Sequence, residues 1–166
     1  MPGSGREKGE AMKKIVFAKL PTGEMDLIRP LWEKIKNHHV QKTVHFREYF
    51  EKKTWADRKK DLFGANNELK IIVTREKNDG AACARIIGYC IASITDKSRG
   101  EIDSIYIEEE YRGCDYGSRL MEESLAWFRD NGITDIVISV AVGNEEVLKF
   151  YEKFGFKPRL YVLERC

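Results

Sequence analysis

Over Lys13–Leu20 apolar and polar residues alternate with period two, Ile15 and Phe17 on one face, which predicts a first strand. Pro21-Thr22-Gly23 breaks it. From about Glu24 to His38 the spacing becomes helical, with Met25, Ile28, Leu31, Trp32 and Ile35 in one apolar stripe. A second helix is predicted behind Thr43 as its cap, turning Phe46, Tyr49, Phe50 and Trp55 inward and leaving Lys52-Lys53 and Arg58-Lys59-Lys60 solvated. After a turn at Gly64–Asn67, Leu69–Arg75 and Arg85–Thr95 read as strands of a hairpin whose tip is Asn78-Asp79-Gly80. Glu101–Ile107 is a fourth strand.

The following helix, about Tyr116 to Asn131, carries Leu120, Met121, Ser124, Leu125, Trp127 and Phe128 on a broad inward face, and Asn131-Gly132 stops it. Ile133–Val142 is rich in β-branched residues and predicts a strand buried on both faces. Asn144 is placed to cap a last helix through about Phe154, with Val147, Leu148 and Tyr151 along one side and Gly155 as its left-handed stop. Phe156–Arg165 predicts a final strand. The order β-α-α-β-β-β-α-β-α-β is a mixed α/β layout around a central sheet.

Composition narrows the function classes. At 166 residues the chain fits one domain, residues 13–166, able to bury a core without disulfides or metals. Residues 1–12, beginning PGSG after the first Met, lack the apolar centre of a signal peptide and read as a disordered leader. A net charge of +2, with basic and acidic residues interleaved, argues against a nucleic-acid partner. No apolar run approaches the ~18 residues of a membrane span. Cys83, Cys90, Cys114 and Cys166 form no C-x-x-C pair, so reduced thiols and a cytoplasmic location are expected. The three histidines, His38, His39 and His45, have no companion ligand cluster, and no metal site is expected. No G-x-S-x-G elbow accompanies them, which argues against a serine hydrolase.

One segment carries specific chemistry. Tyr111-Arg112-Gly113-Cys114-Asp115-Tyr116-Gly117-Ser118 runs from the fourth strand directly into a helix. The first amides of a helix lack intrahelical partners and sit at the positive end of its dipole, which suits a phosphate. Glycine allows close backbone approach, and arginine adds charge-assisted hydrogen bonds.

The stretch E-I-D-S-I-Y-I-E-E-E-Y-R-G-C-D-Y-G-S-R-L-M resembles the acetyl-CoA motif of the GNAT superfamily of N-acetyltransferases. About 30 residues later, V-G-N-E-E-V-L-K-F-Y-E-K-F-G-F resembles the family's second hallmark. The resemblance implies an α+β fold with a central mixed, mostly antiparallel sheet of about six strands flanked by four helices. It implies transfer of an acetyl group from acetyl-CoA to a primary amine (a small amine, an amino acid or a peptide) by direct aminolysis. Arg112, Gly113, Cys114, Asp115, Tyr116, Gly117 and Ser118 would then wrap the coenzyme A pyrophosphate. Backbone groups of Ile105, Tyr106 and Ile107 would hold the pantetheine arm and the acetyl carbonyl, at a bulge where this strand splays from the next.

Asn144 matches a cofactor contact and is equally a simple helix cap. Tyr151 matches the general acid, and Glu101, with Asp103 two residues on, the general base. The sequence departs from the family at Asp115, which stands where the motif has its first glycine. A carboxylate beside a pyrophosphate keeps a second reading open: a catalytically weak or inactive acyl-CoA-binding or sensor module. The acceptor region, Pro21–Gly64, offers Trp32, His38, His39, His45, Phe46, Tyr49 and Arg58, a lining poor in carboxylates that disfavours polycationic acceptors. With one strand after the last helix, an exposed sheet edge is expected and a homodimer is one way to cover it.

Overall fold

The computed structural model describes residues 14–64, 67–77, 84–96 and 98–165. The expected leader, the hairpin tip Asn78–Gly80, Cys83 and Cys166 lie outside them. Among the described residues five strands, β1 (Lys14–Leu20), β2 (Glu68–Lys77), β3 (Arg85–Thr95), β4 (Arg99–Ile107) and β5 (Asp135–Ile138), form one sheet in the order β1-β2-β3-β4-β5. The first four pair antiparallel and β5 pairs parallel to β4. The helices are α1 (Arg29–Lys42), α2 (Arg47–Lys52), α3 (Trp55–Phe63), α4 (Tyr116–Asp130) and α5 (Leu148–Glu152).

Period-two alternation sends β2 side chains to opposite faces and builds two cores. Ile71 and Val73 join Leu20, Met25, Ile28, Leu31, Trp32, Trp55 and Leu62 beneath α1 and α3. Ile72 joins Leu120, Met121, Phe128 and Ile133 beneath α4. The result is a three-layer arrangement with the sheet in the middle.

The first apolar stripe is split. Thr22–Ile28 forms a 3-10 segment, and α1 begins at Arg29 with Pro30 in its first turn, where proline's missing N–H costs nothing. The second predicted helix is two helices, and Thr43 caps neither. Phe46, in a left-handed conformation (φ 57), leads into α2. Thr54 starts α3 with a capping box: its hydroxyl accepts from Asp57 N–H, and Asp57 accepts from the Thr54 N–H. Trp55 is buried as expected, whereas Phe46 and Tyr49 are exposed.

α4 ends as expected. Gly132 (φ 72) supports a Schellman motif in which Ile133 N–H donates to Phe128 C=O and Gly132 N–H to Arg129 C=O. Gly155 (φ 84) likewise stops the last helix.

Two expectations at the sheet's far edge fail. Phe156–Arg165 forms no strand; Leu160, Tyr161, Val162 and Leu163 are solvent-exposed. β5 is four residues long and only half-buried. β-propensity expresses fit to a half-buried pleated surface, and β5 offers too short an edge to supply one. Among the described residues the sheet therefore has five strands where about six were expected, and the fold has five α-helices where four were. No helix among the described residues is long and apolar enough to cross a membrane.

Candidate active site

β4 is bulged. Ser104 pairs with Ile91 and Ile102 with the adjacent Ala92, so Asp103 is the extra, unpaired residue. On the other side, β4–β5 pairing stops at Ile102 and Ile138. Beyond that point β4 runs on to Ile107 while the chain after β5 leaves it as irregular backbone. Gly143 fixes this departure: at φ 96 it packs so closely on the end of α1 that a Cβ there would sit 2.1 Å from the Lys42 carbonyl oxygen. The parted strands open a cleft of about 740 Å³ lined by β4 from Ile102 to Ile107, Ser139–Ala141, α5, the turn before α4, and side chains of α1 to α3.

At one end lies the glycine-bearing turn. Gly113 (φ 77) and Asp115 (φ 57) are both left-handed. Arg119 N–H donates to Asp115 C=O, so the hydrogen-bond ladder of α4 begins at Arg119 and the amides of Tyr116, Gly117 and Ser118 precede it. A Cβ on Gly113 would meet nothing within 4 Å, so the turn's backbone is open to a ligand. This geometry fits a pyrophosphate. Arg112 is partly committed elsewhere: its Nε donates to Ile107 C=O at 3.0 Å and its guanidinium lies 5.6 Å from the Tyr106 ring.

Asp115 explains the glycine of the motif, because the position is left-handed and aspartate is among the few residues that tolerate it. Asp115→Gly removes a negative charge from the phosphate end and is expected to tighten coenzyme A binding by about fivefold. Calorimetry checks this; an unchanged affinity would mean that the carboxylate never faces the phosphates.

Two titratable groups line the cleft, the Asp103 carboxyl and the Tyr151 phenol. Burial pushes the Asp103 carboxyl up to about 6, against the pull of Ser93 and Arg58, while repulsion from Glu101 adds to it. Its Oδ2 is buried without a hydrogen-bond partner, and its side chain is 11% exposed. Arg58 Nη2 donates to the Asp103 backbone oxygen at 2.7 Å but lies 3.7 Å from Oδ1. Glu101 does not line the cleft; its Oε1 accepts from Ser139 Oγ at 3.2 Å. The two acids share a face by spacing, but the bulge interrupts the alternation between them. Tyr151, on α5, lines the cleft, and burial pushes its phenol up to about 12.

Asn144 does not cap the last helix with its side chain. Instead His38 Nε2 donates to Asn144 Oδ1 at 3.1 Å, tying α1 to the segment that follows β5. Asn144 still holds the N-cap position of the Glu145–Val147 turn, whose Val147 N–H donates to its carbonyl at 3.3 Å, but the histidine, 106 positions away in sequence, has taken the side-chain acceptor.

The cleft brings together Ile105, Tyr106, Ile107, Arg112, Gly113, Asp115, Tyr116, Gly117, Ser118, Asn144 and Tyr151. Cys114 is exposed and outside the lining, its Sγ directed to Arg112 C=O at 3.9 Å. Lys36, Phe50 and Lys53 line the cleft and carry no motif signature. Phe50 was expected to turn inward, but the two lysines look like ordinary solvated residues, so only the packing of α1 to α3 over the sheet reveals their place in the cleft.

The model of the Acetyltransferase (GNAT) family matches residues 32–156. N-alpha-acetyltransferase 30 of Schizosaccharomyces pombe is 38% identical over 65 residues, covering 38% of this chain and 43% of the relative. An uncharacterized N-acetyltransferase of Methanocaldococcus jannaschii is 22% identical over 120 residues, covering 67% of this chain and 49% of the relative. The matched segments thus span less than half of these two curated relatives. A solved structure from Pyrococcus furiosus, assigned as an acetyl transferase, superposes with a TM-score of 0.67 at 22% identity, covering 92% of this chain and 99% of that one. The family uses acetyl-CoA as co-substrate and acts on amine acceptors. A family match over most of its length joins the bulged fourth strand and the α4 turn in one conclusion: the chain belongs to the acetyltransferase (GNAT) family.

Proposed function

We propose that this acetyltransferase moves the acetyl group of acetyl-CoA to the primary amine of an amino acid or peptide within one ternary complex. One observation carries the reading: the parted β4 and β5 put free strand backbone, the α4 amides, the Asp103 carboxyl and the Tyr151 phenol on a single cleft.

The amides of Tyr116 to Ser118 bind the pyrophosphate, and the unpaired edge of β4 from Asp103 to Ile107 orients the thioester arm. Asp103, or a water it holds, takes a proton from the acceptor ammonium. The freed amine nitrogen attacks the thioester carbonyl, an amide C–N bond forms and the C–S bond breaks. The departing sulfur receives a proton from the Tyr151 hydroxyl, and the surplus proton on the new amide nitrogen passes through solvent to restore the phenol. Asp103 supplants Glu101 as the preferred base because Asp103 lines the cleft and Glu101 does not. An α-amine acceptor draws support from the partial match to N-alpha-acetyltransferase 30.

Calorimetry with acetyl-CoA followed by an amine panel monitored through free thiol release tests the reading. Expected are saturable cofactor binding and amine-dependent thiol release. Binding without turnover on any amine would favour the sensor reading, for which Asp115 at the phosphate turn is the supporting observation.

A further inference from the structure

The electrostatics of the cleft are uneven. Residues of α1, α2 and α3 form one of its walls, and Arg58 of α3 reaches Asp103. Three elements deliver three cations to this wall: Lys36 from α1, Lys53 from just after α2, and Arg58 from α3.

Their partners are few. Lys36 Nζ donates to the Lys53 backbone oxygen at 3.3 Å and lies 5.8 Å from the Trp32 ring. Among the described residues Lys36 has no carboxylate partner. Lys53 Nζ pairs at 2.5 Å with Asp61, a half-exposed residue outside the cleft, and stands 5.7 Å from the Tyr49 ring. Arg58 spends one N–H on a main-chain oxygen, and its contact with the Asp103 carboxylate, 3.7 Å, is long for a charge-assisted bond. The other cleft carboxylates are placed elsewhere: Asp115 lies at the α4 turn, and Glu146 pairs with Lys42 at 3.5 Å. Three like charges gathered on one wall, two of them beside aromatic rings and Lys36 without a carboxylate, create a positive potential that an anionic group relieves.

Resting on the acetyl-transfer reading above, we propose that the acceptor is an amine that also carries a carboxylate, the amine directed to Asp103 and the carboxylate held by Lys36, Lys53 and Arg58. The site is dipolar, with an acidic floor at the bulge and a cationic wall beside it. A diamine or aminoglycoside would present the wrong charge to that wall. The carboxylate is either the α-carboxylate of a free amino acid or an acidic side chain at a peptide N-terminus, and both present the same chemistry.

The experiment is a thiol-release assay on two matched pairs: glycine against glycinamide, and Asp-Ala-amide against Asn-Ala-amide. Cadaverine serves as the opposite-charge control. In one pair the acid is expected to exceed its amide in kcat/KM by about tenfold or more. The pair that responds tells a free amino acid from a peptide N-terminus. Lys36→Glu is expected to reverse the preference and raise cadaverine relative to the acid. Loss of packing or folding alone would not invert a ratio.

Amides accepted as well as acids in both pairs would overturn the proposal while leaving acetyl transfer intact. So would Lys36→Gln weakening coenzyme A itself in calorimetry with the acid-to-amide ratio unchanged, since the cations would then serve the cofactor. If no amine turns over, the acetyl-transfer reading fails first. Calorimetry of N-acetyl-Asp-Ala-amide against N-acetyl-Asn-Ala-amide, with coenzyme A present, then decides the charge preference directly. Equal affinities overturn it.

Discussion

Tyr151→Phe is expected to lower kcat by about a hundredfold or more while the affinity for acetyl-CoA stays near that of the unaltered protein. The phenol faces the cleft, and burial holds its proton to about 12, so it is fully protonated at neutral pH. Such a weak acid still serves a thiolate in this setting, because burial raises the basicity of both anions. No hydrogen bond contributes to the Tyr151 shift, so removing the hydroxyl strands no partner and the loss reads chemistry. Single-turnover rates with calorimetric cofactor affinity check this. Retention of kcat within twofold would remove Tyr151 from the reaction.

Asp103→Asn is expected to act in opposite directions on rate and stability. As the base, Asp103 must be ionised, so kcat/KM should rise with pH through about 6 and level off. The asparagine variant should lose that limb and about two orders of magnitude in rate.

Stability follows from the same shift. The folded carboxyl titrates near 6 and the unfolded one near 3.8, so between these values the folded state binds more protons. Asp103 therefore costs nothing at low pH, and its cost grows as pH rises from about 4 through 6. At pH 7 the asparagine variant should be more stable by on the order of 1–2 kcal/mol, after the weak contact with Arg58 is lost. Chemical denaturation at pH 4 and pH 7 measures both arms. Equal stability at the two pH values, or an unchanged acid limb of the rate profile, would exclude this role.

Much of the molecule is legible in local pattern. The stop of α4 at Asn131-Gly132 and the left-handed Gly155 were readable because each depends on a few neighbouring residues. The strand-turn-helix around Arg112–Ser118 was readable for the same reason. Errors arose where a distant partner decides. Thr43 looks like a cap, yet Thr54 does the capping because Trp55 must enter the core beneath α1 beside Trp32, 5.2 Å from ring to ring. Asn144 also looks like a cap, yet His38 claims its side chain across the cleft. Glu101 and Asp103 are alike by spacing, and the bulge separates them. Phe156–Arg165 has strand chemistry but finds no adequate edge to pair with.

The sequence by itself determined the family, the strand-turn-helix proposed to hold phosphate and the candidate acid Tyr151, because short-range residue patterns encode backbone conformation directly. Only the tertiary structure decided which carboxylate lines the cleft and where the lysines of α1 to α3 converge. Charge placement in a cleft depends on strand register and helix packing, and both are set by contacts between residues far apart along the chain.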